Sequence, residues 1–146
     1  MLTAIRHARR PHCTVRATAA LLLATASVAA WAQDVKVALG GDQEIPPVTT
    51  SGSAAGTFSV AADKSVRGSV TIRGMTPTVA HIHEGEAGKI GPVIIPLTKT
   101  ADNVWSVPEG AKLTDAQYAS FKAGNLYYNV HSATYRGGEL RGQIKP

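Results

Sequence analysis

From residue 33 onward the chain predicts an all-β sandwich, Greek-key or immunoglobulin-like, with about seven to nine short strands and one short helix. Two observations carry that prediction. Short apolar/polar alternations recur along the chain, each closed by Gly, Pro, Asp or Asn, which is how half-buried strands joined by tight turns read. The chain's single cysteine, Cys13, precedes residue 33, so no disulfide can form within residues 33–146 and a continuous apolar core must hold them. Those residues suffice for one such core and are too few for two.

The strands and the helix run in chain order. Val35–Leu39 alternates cleanly and stops at Gly40-Gly41-Asp42. Gln43–Thr50 contains Pro46-Pro47, which cannot donate to a ladder, and reads as an extended edge or loop segment. Gly56–Ala61 and Val66–Ile72 form a hairpin around Ala62-Asp63-Lys64-Ser65. Val79–His83 is the next strand, followed by the glycine-punctuated loop Glu84–Gly91. Val93–Leu97 is an apolar strand ending near Pro96, and Val104–Val107 carries Trp105. Thr114 and Gln117 stand at capping-box spacing, Tyr118 and Phe121 are three apart, and Gly124 is placed to stop the helix between them. Leu126–Ser132 and Glu139–Ile144 complete the set, joined by a turn containing Gly137-Gly138. Trp105, Tyr118 and Phe121 read as core.

Residues 1–32 are expected to be a signal peptide. Arg6, Arg9, Arg10 and Arg16 give a basic start, Ala17–Ala30 is a run of Ala, Leu, Val, Thr and Ser, and Ala30-Trp31-Ala32 fits a small-x-small cleavage site. The run is about 14 residues, short of the roughly 20 a membrane span needs. The expected product is periplasmic or secreted, with no stable span after cleavage. Four of the 15 Lys and Arg fall in this leader, leaving 11 against all 10 Asp and Glu, a net charge of +1. The basic balance of the whole chain thus belongs to the leader, and no basic patch argues for nucleic acid.

Chemistry concentrates in two strands. Beyond the leader the chain has three histidines, His81, His83 and His131. Strand parity projects His81 and His83 from one side, about 7 Å apart along the strand, while Ile82 faces the core. In Leu126–His131 the same parity puts Leu126, Tyr128 and Val130 inward and Tyr127, Asn129 and His131 on the polar face. In the last strand Leu140 and Ile144 point inward, and Glu139, Arg141 and Gln143 outward. If these strands are neighbours, one polar surface gathers three imidazoles, an amide and a carboxylate–guanidinium pair. Two readings stay open. The histidines could be structural groups hydrogen-bonded to loop carbonyls or to Glu84, Glu86 and Glu139, or they could bind Cu or Zn, with Asn129, Glu139, Arg141 and Glu84 as supporting residues. For Glu139 and Arg141 the plain reading is a solvated cross-strand ion pair. Gly85–Lys89 lacks the spacing of a phosphate loop, and Ser132 lacks the base and acid of a serine nucleophile.

His81-Ile82-His83-Glu84-Gly85, Gly91-Pro92-Val93, Tyr128–Ser132 and Gly137–Gln143, preceded by Gly40–Pro47, closely resemble the chordin-type (CHRD) domain across nearly all of residues 33–146. In animal chordins the domain repeats within a secreted antagonist of bone morphogenetic proteins; bacterial members, which this chain resembles, are usually single domains. The resemblance implies a β-sandwich and an exported location rather than an activity. A weaker one runs to the copper-zinc superoxide dismutases, whose His-x-His strand supplies copper ligands; three histidines and no cysteine fall short of that enzyme's site. Two functions are therefore expected, in order: a non-catalytic exported module binding a protein or small ligand, and a small metal-binding or metal-dependent redox protein built on His81, His83 and His131.

Overall fold

The computed structural model describes residues 34–146; the expected leader lies outside them. Within these described residues nine strands form two antiparallel sheets. They are β1 (Val35–Leu39), β2 (Ser53–Val60), β3 (Val66–Arg73), β4 (Pro77–Glu84), β5 (Val93–Pro96), β6 (Thr98–Ala101), β7 (Val104–Ser106), β8 (Leu126–Ser132) and β9 (Leu140–Ile144), with one helix, α1 (Asp115–Lys122), between β7 and β8. One sheet runs β1-β2-β3-β7-β6 and the other β5-β4-β8-β9. Among the described residues no helix is long and apolar enough to cross a membrane.

The core lies between the sheets and is built from the inward positions that parity names. Val37, Leu39, Phe58, Val70 and Ile72 from one sheet meet Ala80, Ile82, Leu126, Tyr128, Val130, Leu140 and Ile144 from the other, all buried. Tyr128 spans the gap: its ring packs edge-on against Phe58 with centroids 6.1 Å apart, and its hydroxyl donates to the Thr57 carbonyl at 2.8 Å. Burial pushes that phenol well above its ordinary pKa, so it stays a donor. The Thr114–Gln117 capping box forms as its spacing predicts. It holds α1 over one end of the sandwich, where Phe121 packs 5.4 Å from Phe58.

The expected strands are present with shifted ends, and one strand went unforeseen. Thr98–Ala101 pairs with β7 at the sheet edge with all four residues exposed, so no burial pattern marks it. The expected strand Val93–Leu97 stops at Pro96, and Leu97 donates its N–H to Ala80 of one sheet just before the chain joins the other. On the opposite flank β1 and β9 meet through reciprocal bonds between Gly40 and Arg141 at 3.0 and 3.1 Å. Gly142 permits this approach, since a Cβ there would lie 2.6 Å from the Ala38 carbonyl.

The outer face of the β5-β4-β8-β9 sheet departs from expectation. Tyr127, Asn129, Glu139 and Arg141 are only 3%, 4%, 5% and 3% exposed. They point away from the apolar core, as parity requires, yet the segments after β1, β4 and β8 close over them. The expected solvated pair of Glu139 and Arg141 does not form: Glu139 accepts from Thr50 at 2.5 Å, and Arg141 donates to the Glu86 carbonyl and to Gln143.

Removing the Tyr128 hydroxyl should cost about 1 kcal/mol, the usual net worth of one buried neutral hydrogen bond. Tyr128→Phe is therefore expected to lower Tm by about 3–6 °C, and an unchanged thermal melt would show that the cross-sheet bond contributes nothing.

Candidate functional site

The β4–β8 pairing builds the site. Its register sets His81 opposite Asn129, His83 opposite Tyr127 and His131 opposite Val79, so His131 is the diagonal neighbour of His81 on the same face. The ring centroids of His81 lie 5.7 Å from His83 and 5.1 Å from His131. One nitrogen from each of the three falls within 4.8 Å of the others.

Backbone carbonyls, rather than carboxylates, orient two of the rings. His83 Nδ1 donates to the Gly91 carbonyl at 2.9 Å, and His131 Nδ1 donates to the Arg136 carbonyl at 2.8 Å. A carbonyl cannot donate, so in each neutral imidazole the proton sits on Nδ1 and the lone pair on Nε2. His131 Nε2 faces His81 Nδ1 at 3.3 Å, and His83 Nε2 is buried without a hydrogen-bond partner. An orphaned acceptor of this kind is costly in a folded domain and calls for a reason.

Electrostatics favour the neutral forms of His81 and His83. His81 is held below its ordinary pKa by burial first and then by the nearby charges of His131 and His83. His83 is lowered by burial, against the Gly91 hydrogen bond, with His131 and Arg141 adding to the lowering. Neutral imidazole is the metal-binding form.

Asn129, Glu139 and Arg141 share this face but serve different partners, whereas Glu84, expected with them, stands opposite the inward Leu126 in the β4–β8 ladder. Glu84 accepts from Ser120 of α1 at 2.6 Å. Asn129 donates to the Glu44 carboxylate and to the Leu140 carbonyl. Burial raises the Glu44 pKa against the lowering effects of Asn129, the Ile45 backbone and Arg141. Gly138 sits at φ +134°, where a Cβ would lie 2.6 Å from Glu44 and 2.7 Å from Asn129. Ser132 closes its own turn by accepting from the Tyr135 N–H at 3.1 Å. Sequence reasoning missed Gly91 and Arg136 as the residues that set the imidazole tautomers. A carbonyl's role leaves no trace in residue type, although Gly91 is forced: a Cβ there would lie 1.7 Å from the Glu84 carbonyl.

A family match spans the segments that form this face. The CHRD domain matches over residues 35–144, which spans both sheets and all three covering segments. The chain belongs to the CHRD domain family. Searches of curated proteins and of solved structures gave no match. In this CHRD domain the covering segments are thus part of the matched unit and not appendages to it.

Lowered histidine pKa values fix the sign of a pH dependence. Between the folded values and 6.5 the unfolded chain binds more protons, so stability is full above about pH 6.5 and falls as pH drops through the folded values. Thermal melts of the metal-free domain from about pH 8 to about pH 5 should show this loss, and His83→Gln should flatten it. Gly138→Ala should destabilise by about 1–3 kcal/mol through crowding of Glu44 and Asn129, measured by urea unfolding.

Proposed function

We propose that this CHRD domain is an exported metal-binding module that holds one Cu or Zn ion through His81, His83 and His131. The observation that carries the reading is the pair of fixed tautomers. His83 and His131 each donate Nδ1–H to a backbone carbonyl, the arrangement in which a metal-ligating histidine presents Nε2. A tetrahedral ion with metal–nitrogen bonds near 2.0–2.1 Å spaces its ligands about 3.3 Å apart. His81 Nδ1 and His131 Nε2 stand at 3.3 Å, and one ligand nitrogen from each of the three rings lies within 4.8 Å of the others. His81 would shift its proton from Nδ1 to Nε2 on binding, so no proton need leave the neutral cluster. Three imidazoles suit Zn and Cu and leave a fourth position open.

This reading is of a binding module rather than an enzyme. The basic, apolar-cored segment before residue 33 supports export. A second reading, docking of a protein partner, is favoured by Ile90 and Val93, exposed to 76% and 47%, which flank the Gly91 that holds His83. It predicts that Ile90→Ser with Val93→Ser abolishes partner binding while metal binding persists.

Purified without a histidine tag, the protein should take up one equivalent of Cu²⁺ or Zn²⁺ by titration calorimetry. The His81→Ala/His83→Ala variant should lose more than the about 10–100-fold that removal of an outer partner costs while keeping its circular dichroism. A folded wild type that binds neither ion would refute the metal reading.

A further inference from the structure

Behind His83 stands a second layer that the three-histidine reading does not use. The Tyr127 ring stacks on His83 at 4.9 Å and 13°, and the Arg141 guanidinium lies 3.5 Å from the Tyr127 centroid. Because β8 runs between β4 and β9, Tyr127 stands between the imidazole and the cation. Its hydroxyl accepts from the Gly91 N–H at 3.1 Å, and the carbonyl of that same glycine fixes His83. Tyr127 therefore grips His83 twice, by its ring face and through Gly91. Arg141 cannot shed its proton in a protein and is 3% exposed, so its charge is permanent and poorly screened.

No carboxylate near this layer is hydrogen-bonded to a histidine or to the Arg141 guanidinium: Glu44 accepts from Asn129 and Glu139 from Thr50, and burial favours the neutral acid of Glu44 even against the Arg141 charge. Glu86 is exposed and offers only its backbone carbonyl to Arg141. The three imidazoles offer lone pairs and no negative charge. An ion entering the site thus meets no negative ligand and a fixed positive charge one aromatic ring away. Both features penalise a doubly charged ion more than a singly charged one.

We propose that the Arg141–Tyr127–His83 stack makes the three-histidine site selective for monovalent copper over divalent copper and zinc. The inference rests on the metal reading above and adds the charge state of the ion. Arg141 and Tyr127 act as positioning and specificity-determining residues and do not touch the metal.

Competition titrations of the untagged protein with chelators specific for Cu⁺ and for Cu²⁺, together with Zn²⁺, test it. The wild type should hold Cu⁺ at least about 100-fold more tightly than Cu²⁺. Arg141→Met should narrow that ratio about tenfold, a fall of about 59 mV for a one-electron couple, and should tighten Zn²⁺ binding by a similar factor. Loss of a merely structural contact would not strengthen binding of a divalent ion. Arg141→Lys, which keeps the charge, should retain most of the wild-type ratio. Wild-type protein that holds Cu²⁺ as tightly as Cu⁺ overturns the inference without any variant having to fold, as does an Arg141→Met ratio equal to the wild type's. In both outcomes the metal reading survives. Failure to bind any of the three ions overturns that reading and this inference with it.

Discussion

The register between β4 and β8 is the constraint on which the rest depends. A strand alternates with period two, so a slip of one residue would turn Ala80 and Ile82 outward and carry His81 and His83 into the core. The register is held from inside: Ala80, Ile82, Tyr128 and Val130 are fully buried and pair across the ladder. The apolar core thereby sets the positions of polar groups that never touch it. His131 reaches His81 only as a diagonal neighbour across these two strands, and Tyr127 faces His83 as a direct one.

That register alone would leave the histidines on an open sheet surface. The segments after β1, β4 and β8 convert the surface into a second interior. Glu44 and Thr50 come from the first, the Glu86 and Gly91 carbonyls from the second, and the Arg136 carbonyl from the third. Burying a guanidinium and two carboxylates and half-burying three imidazoles is expensive unless each finds partners, and almost every one does. The exception is His83 Nε2, within the one cluster on this face whose remaining lone pairs converge. Under the proposed metal reading, that open atom is a ligand position held ready by the satisfied groups around it.

The fold and the chemistry divide between the two faces of one sheet. Inward, Ala80, Ile82, Leu126, Tyr128, Val130, Leu140 and Ile144 are apolar, whereas outward β8 and β9 present Tyr127, Asn129, His131, Arg141 and Gln143, with no aliphatic side chain among them. The glycines mark where the covering segments press closest: Gly91 against Glu84, Gly138 against Glu44 and Asn129. On the other sheet the outward face between β1, β2 and β3 is a shallow groove lined by small residues such as Ala38, Ala55, Thr57 and Ser69. No comparable set of polar groups converges there.

By itself the sequence determined the sandwich, the inward residues, the capped helix and the shared face of His81 and His83, because each rests on local periodicity or local turn chemistry. It also placed His131, Asn129, Glu139 and Arg141 on polar faces by parity. Sequence alone could not say that this face is buried, because parity distinguishes the two sides of a strand and not what lies over them. It missed β6, whose fully exposed Thr98–Ala101 carries no burial pattern, and it paired Glu139 with Arg141 as near neighbours. Tertiary structure gave those two groups Thr50 and Glu86 instead, and of the loop carbonyls and carboxylates open to the histidines it chose the carbonyls of Gly91 and Arg136. Those choices depend on where three loops come to rest, a long-range outcome that no local pattern of residue types encodes.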